Sequence, residues 1–294
     1  MKQRIRRVLA PVIIAATIAA FGYYLHGHPA TVHSLGRVPL STLAVLLGLY
    51  VLFFVALALM TRASLKVYQK TMTVPENLLF NIYSSLINFF GPGQSGPVFR
   101  GAYLKKRHNI TVKQYMFTTL LYYGFFAVIS ALFMCVGSRP WWQTTLVVVA
   151  AAVGSMLIIA RYRRRAELGK SAGIHWPSVG WIFGATALQL GLQAVIYMVE
   201  LHGVGAHASF GQVLAYTGVA NFALFVSLTP GAIGIRESFL VFSQHLHHIS
   251  SGSIVAANLL DRGTYLLLLV ILGCIALGLH ARERLGVGNL KEKQ

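Results

Sequence analysis

Pro92-Gly93-Gln94-Ser95-Gly96 and Pro230-Gly231-Ala232-Ile233-Gly234 are two copies of one pattern, Pro-Gly-x-x-Gly, each set in an apolar chain just ahead of an arginine. Arg100 follows the first copy and Arg236-Glu237 the second. Downstream, Leu120-Leu121-Tyr122-Tyr123-Gly124 answers Leu259-Leu260-Asp261-Arg262-Gly263, and Cys135 answers Cys274. A five-residue motif alone is weak, but three features in the same order indicate a duplicated unit. Paired hydrophobic segments broken by Gly and Pro in the two halves of a chain point to a transporter's binding site.

Composition sets the class. The 294 residues are 56% hydrophobic and 11% charged, against about 25% charged in a soluble domain. The expected fold is therefore an all-α polytopic membrane protein, with no stretch polar enough to form a soluble domain. Lys+Arg 25 against Asp+Glu 7 gives a net charge of +18. These basic residues are spread between apolar segments, which fits the positive-inside rule better than a nucleic-acid surface. Lys2 to Arg7 followed by the apolar run Val8 to Leu25 reads as a retained signal anchor. The two cysteines lie in long apolar runs and are read as packing residues, with no disulfide framework.

A helix needs about 20 apolar residues to cross about 30 Å of hydrocarbon. Six segments qualify, at roughly 8–26, 39–61, 112–137, 141–160, 177–201 and 253–279. Two more, 76–92 and 209–230, end at the Pro-Gly motifs. Lys2, Arg4, Arg6 and Arg7 put the N-terminus in the cytoplasm, while loops 27–38, 138–140 and 202–208 carry little positive charge and fall outside. Arg62, Lys66, Lys70, Lys105, Lys106 and Arg107, the cluster Arg161 to Lys170, and the tail with Arg282, Arg284, Lys291 and Lys293 fall inside. This assignment closes only if both Pro-Gly segments are re-entrant hairpins. Each half is then helix, helix, hairpin, helix, with opposite orientation. The expectation is one membrane domain over 1–294: an inverted-topology repeat of about 1–138 and 139–281 plus a basic cytoplasmic tail, 282–294.

The breaks are chemically suited to anions. Gly93, Gly96, Gly231 and Gly234 let another backbone or a ligand approach closely. Helices restarting near Val98 and Arg236 would aim free amides at the break, a ready site for phosphate. Arg100, Arg236 and Arg262 supply permanently charged forks that match phosphate geometry. Glu237 and Asp261 either pair with these arginines or hold a coupling ion. Asn88 and Asn221 sit upstream of their turns, where capping of backbone groups competes with ligand contact. Tyr122 and Tyr123 replace the charged pair of the second half and are read as packing or lipid-facing residues.

The remaining chemistry is bland. The histidines at 26, 28 and 33 and at 245, 247 and 248 lack carboxylate or thiolate support for a metal and are read as outward-facing interfacial residues. Trp141, Trp142, Trp176 and Trp181 lie at expected helix ends, as an aromatic belt should. No phosphate-binding loop, nucleophile elbow or His-Glu-x-x-His motif occurs. No enzymatic activity, cofactor or metal is implied.

Asn88-x3-Pro92-Gly93-x2-Gly96-x3-Arg100, Pro230-Gly231-x2-Gly234-x-Arg236-Glu237 and Leu260-Asp261-Arg262 together resemble the lysylphosphatidylglycerol synthase transmembrane-region family, flippase-like integral membrane proteins. The resemblance spans roughly 40–280. Pro97 stands where the family commonly has an acidic residue. The resemblance implies flipping of an anionic phospholipid or lipid-linked head group across a bacterial plasma (inner) membrane. No soluble aminoacyl-transferase domain is expected in this chain. Expected partners are the lipid substrate and the membrane, not nucleic acid, with a homo-oligomer or a lipid-synthesis enzyme left open. The alternatives are a non-catalytic scaffold for envelope synthesis, a small-solute secondary transporter, and a membrane-embedded transferase or hydrolase. The topology has a direct test. A cysteine at Gln94 should label only from the cytoplasmic side and one at Ala232 only from outside; the reverse sidedness would overturn the assignment.

Overall fold

The computed structural model describes residues 36, 38–90, 95–137, 146, 154, 175–226 and 235–291. The expected span 8–26, nearly all of 141–160, and both Pro-Gly tips with Gly93, Gly231 and Gly234 lie outside the described residues. The elements are α1 (Leu40–Lys66), α2 (Val74–Phe90), α3 (Ser95–His108), α4 (Val112–Gly137), α5 (Pro177–Gly203), α6 (Phe210–Val226), α7 (Ile235–Phe242), α8 (Gln244–His247) and α9 (Ser251–Lys291). No strand occurs among the described residues.

Among the described residues four helices are long and apolar enough to cross a bilayer: α1, α4, α5 and the Ser251–Ala276 part of α9. At about 1.5 Å per residue each is roughly 40 Å long, more than the hydrocarbon thickness. Their outward faces carry large apolar side chains, among them Val45, Leu52, Val55 and Leu59 on α1 and Leu267, Val270, Ile271 and Ile275 on α9. Such faces are at home only in lipid. The chain is a multi-pass, all-α membrane protein.

Two boundaries differ from the sequence expectation. The helix after the first break starts at Ser95 rather than Val98, because Pro97 falls in its first turn, where a missing N–H costs nothing. The last helix runs to Lys291 rather than ending near 279. Ala281-Arg282-Glu283-Arg284-Leu285 is made of good helix formers, so polarity ends the apolar face but not the helix.

α1 and α5 form the central antiparallel pair. At one end Gly203 abuts Thr42, and at the other the His175 N–H donates to the Val67 carbonyl (2.9 Å). Leu46, Tyr50 and Phe54 share a buried cluster with Ile196, Tyr197 and Leu201. α2 and α3 pack as an antiparallel hairpin. Its open end is tied by Glu76, which accepts from the Tyr103 hydroxyl (2.8 Å) and pairs with His108 Nε2 (3.1 Å). Desolvation raises the Glu76 carboxyl, but the hydrogen bonds from Tyr103 and His108 outweigh it and hold it below the usual carboxylate range. Nearer the tip, Phe80 packs on Phe99 and Tyr103, and Arg100 Nε donates to Ser84 Oγ (2.5 Å).

α6 is followed by α7 and α8, which return alongside it, with Tyr216 set edge-on to His247 (5.5 Å). The two halves interlock: α4 packs on α6, and α9 packs on α2. The α4–α6 contact is a seam of small residues. A Cβ on Gly218 would lie 2.6 Å from both Met134 N and Ser130 O, and one on Gly137 would collide with the Gly211 carbonyl. Lipid offers no hydrophobic drive between helices, so close backbone approach supplies the attraction.

Three sequence readings need correction. His247 is 0% exposed, its Nε2 set on the Leu240 carbonyl (3.0 Å) and its Nδ1 accepting from Ile249 N–H (3.2 Å). It closes the α7–α8 turn, while His245 and His248 do face outward. Cys135 is buried as expected, but Cys274 is exposed, on the lipid-facing side of α9 beside Ile275. Tyr122 and Tyr123 line the interior cavity described below. Among the described residues no metal-binding group occurs.

Gly218→Ala should lower the unfolding temperature of the purified protein by several degrees, through overpacking worth about 1–3 kcal/mol. Gly191→Ala, where a Cβ meets nothing within 4 Å, should leave it unchanged. Equal thermal shifts in the two variants would disprove the seam.

Candidate functional site

Polar residues recur along the inner faces of two apolar helices. On α2 the stripe is Asn77, Asn81, Ser84, Ser85 and Asn88; on α5 it is Gln189, Gln193, Tyr197 and Glu200. Spacings of three and four residues keep each stripe on one helical face. The lower α2 residues satisfy backbone and one another: Asn77 Nδ2 donates to the Ala58 carbonyl (2.8 Å), Asn81 Nδ2 to the Asn77 carbonyl (2.8 Å), and Thr61 Oγ1 to Asn81 Oδ1 (3.1 Å). Asn88 Oδ1 accepts from the Gly96 N–H (3.3 Å), the capping role its position suggested. Gly96 is required by space, since a Cβ there would sit 2.8 Å from Asn88 Cβ and 3.0 Å from the Ser84 carbonyl.

The charged centre lies where α1, α5, α7 and α9 meet. Arg236 Nη2 donates to Asp261 Oδ2 (2.7 Å), with its guanidinium over the Tyr197 ring (5.2 Å to the centroid). The Tyr50 hydroxyl donates to Asp261 Oδ1 and lies 3.3 Å from Glu200 Oε1. One residue along each helix, Arg262 donates through Nε (3.2 Å) and Nη2 (2.9 Å) to Glu237 Oε1. The neighbouring residues of the two motifs thus pair crosswise, as two rungs between α7 and α9. Asn258 Nδ2 donates to the Tyr216 hydroxyl (3.1 Å), tying α6 to the same centre.

Tyr50, Tyr197, Arg236, Asp261 and Arg262 border one cavity of ≈ 330 Å³. Asn88, Gly96 and Arg100 reach it from beside the first tip, and Asn221, Leu224 and Arg236 from beside the second. Asp261 and Arg262 close it from α9, whereas Glu237 stands behind Arg262 and off the cavity wall. A smaller pocket of ≈ 60 Å³, lined also by Ser64, Tyr68 and Tyr115, shares Arg100, Tyr122 and Tyr123 with the cavity. Among the described residues Arg100 forms no ion pair; its hydrogen bond is to Ser84. Among the described residues the buried donors Arg236 Nε and Asn221 Nδ2 and the buried acceptor Gln189 Oε1, all on residues of the wall, have no partner. The wall thus offers two unpaired donors beside three arginines, an arrangement suited to a bound anion.

Of the sequence candidates, the structure brings together Asn88, Gly96, Arg100, Arg236, Asp261 and Arg262. It adds Tyr50, Gln189, Tyr197 and Glu200, which sequence reasoning missed. Glu200 is 1% exposed, and the signal that marks it is the polar stripe of α5. Tyr122 belongs here too, accepting from Gln189 Nε2 (3.1 Å).

Comparison with curated protein sequences finds no match. The family model described as Lysylphosphatidylglycerol synthase TM region, by contrast, matches residues 8–273. That stretch contains both hairpins, the crosswise ion pairs of α7 and α9 and every residue of the cavity wall, and with nine-tenths of its length so matched the chain belongs to the lysylphosphatidylglycerol synthase TM region family.

Proposed function

We propose that the protein moves an anionic phospholipid or lipid-linked head group between the leaflets of a bacterial plasma membrane, without making or breaking bonds. The head-group phosphate sits in the cavity between the two hairpin tips, drawn by Arg100, Arg236 and Arg262. The single observation that carries this reading is the convergence on one cavity of the described residues that flank both Pro-Gly motifs, with three arginines and unaccepted donors. At ≈ 330 Å³ the cavity is at the lower end of small-ligand pockets, about 300–1,000 Å³. That is room for a head group, with acyl chains left in lipid.

The accompanying topology is six crossings and two re-entrant hairpins in an inverted repeat of about 1–138 and 139–281, with both termini cytoplasmic. The antiparallel α2–α3 hairpin, the central α1–α5 pair and the reciprocal packing of α4 on α6 and α9 on α2 support it. The small pocket beside Arg100 supports an approach from the Lys66–Lys106 side, the cytoplasmic side in this topology. Family membership favours a lipid over a small solute, while Gly93, Gly231 and Gly234 remain proposed contacts at the tips.

Native mass spectrometry of the detergent-purified protein tests the site. Wild type should retain a phosphate-bearing lipid, and Arg100→Ala should lose it with little change in stability, because no carboxylate is left unpaired. Arg236→Ala should lose the lipid and also cost about 3–5 kcal/mol, since it strands buried Asp261. Unchanged lipid retention in both variants would leave the arginines structural and move a scaffold role ahead.

A further inference from the structure

Asp261 is the most contested group in the interior. It accepts from Tyr50 on α1 and from Arg236 on α7, while Glu200 on α5 reaches for the same Tyr50 hydroxyl. A phenol has one proton to donate. Glu200 forms no ion pair among the described residues and is almost wholly buried, where an ionised carboxylate is costly. Asp261, by contrast, is paired with Arg236. Yet Arg236 is also the innermost cation available to an incoming phosphate, and its Nε has no acceptor.

We propose that Asp261 is a proton-binding site coupled to the anion: it takes up one proton as a phosphate-bearing head group engages Arg236, so that lipid and proton are loaded together. This rests on the anion site proposed above. An anion on the guanidinium sets a second negative charge beside Asp261, and like charges at that range cannot both persist away from water. Protonation removes the conflict, and the neutral acid keeps Tyr50 and Glu200 as hydrogen-bonding neighbours. The remaining charged and titratable groups facing this centre are Tyr197 from α5, Tyr216 from α6 backed by His247 from α8, Glu237 from α7, Arg262 and Tyr265 from α9, and Arg100 from α3. Glu237 is committed to Arg262. Among the described residues Asp261 is the one carboxylate on the cavity wall, and its partner Arg236 lies on that wall beside it.

The sign follows from linkage. If the bound state carries one more proton than the free state, acidification tightens anion binding by up to about tenfold per pH unit. The experiment is isothermal titration of the full chain in detergent with dihexanoylphosphatidylglycerol, between pH 6 and 8, in two buffers of different ionisation enthalpy. The phosphodiester of this probe does not titrate in that range, so any proton taken up enters the protein. Wild type should take up close to one proton per lipid bound somewhere in this range and bind more tightly at lower pH. Asp261→Asn should bind with no uptake and no pH dependence. Tyr50→Phe, which removes a donor to the ionised carboxylate, should move the uptake window to higher pH. Lipid binding without proton uptake, uptake that persists in Asp261→Asn, or an unmoved window in Tyr50→Phe would overturn the coupling and leave the anion site standing. No binding by wild type at any pH would overturn both.

Discussion

The interior is organised by the need to keep the Asp261 carboxylate satisfied away from water. A lone charge at membrane depth is expensive, and such residues persist only when paired or facing a wet cavity. Asp261 on α9 is held by Arg236 from α7 and Tyr50 from α1. Arg236 in turn lies over Tyr197 of α5, and Asn258, nearly one turn before Asp261, holds Tyr216 of α6. Five elements are therefore fixed to one another through a single carboxylate and its neighbours. Removing any partner strands the rest, which makes this centre a determinant of the fold.

Much of the helical framework was legible because apolar length and loop punctuation are strong signals. The segment 112–137 coincides with α4, and 177–201 falls within α5. Arg236, Asp261 and Arg262 were legible because they are charges next to Gly in apolar surroundings. Glu200 was not, because no Gly or Pro landmark adjoins it. Its meaning lies in alignment with Gln189, Gln193 and Tyr197 on one face, and in meeting Tyr50, distant in sequence, through α1–α5 pairing. His247 was misread for a similar reason. Its neighbours His245 and His248 do face outward, but a short turn places the middle ring against Tyr216. The exposed Cys274 shows that equivalent positions in two halves need not share a burial.

The two halves of the chain differ in chemistry. Where the second presents Asp261-Arg262, the first presents Tyr122-Tyr123, and Tyr122 engages Gln189 of α5. Where the second neutralises both its arginines with carboxylates, the first leaves Arg100 on a serine. Positive charge is thus uncompensated on one side of the cavity and internally balanced on the other. An anion entering the cavity would meet an uncompensated charge at Arg100 and would have to compete with a carboxylate at Arg236.

The seam between α4 and α6 constrains how the protein can move. Gly137 against Gly211, and Gly218 against Ser130 and Met134, bring the two backbones together with no side chain between them to slide or swing. Packed interiors of this kind are bistable rather than continuously deformable. α4 comes from the first half and α6 from the second, so this contact locks the two sequence halves together. Opening the cavity by parting the halves would tear this backbone contact, whereas a rearrangement that preserves it must carry α6 along with α4.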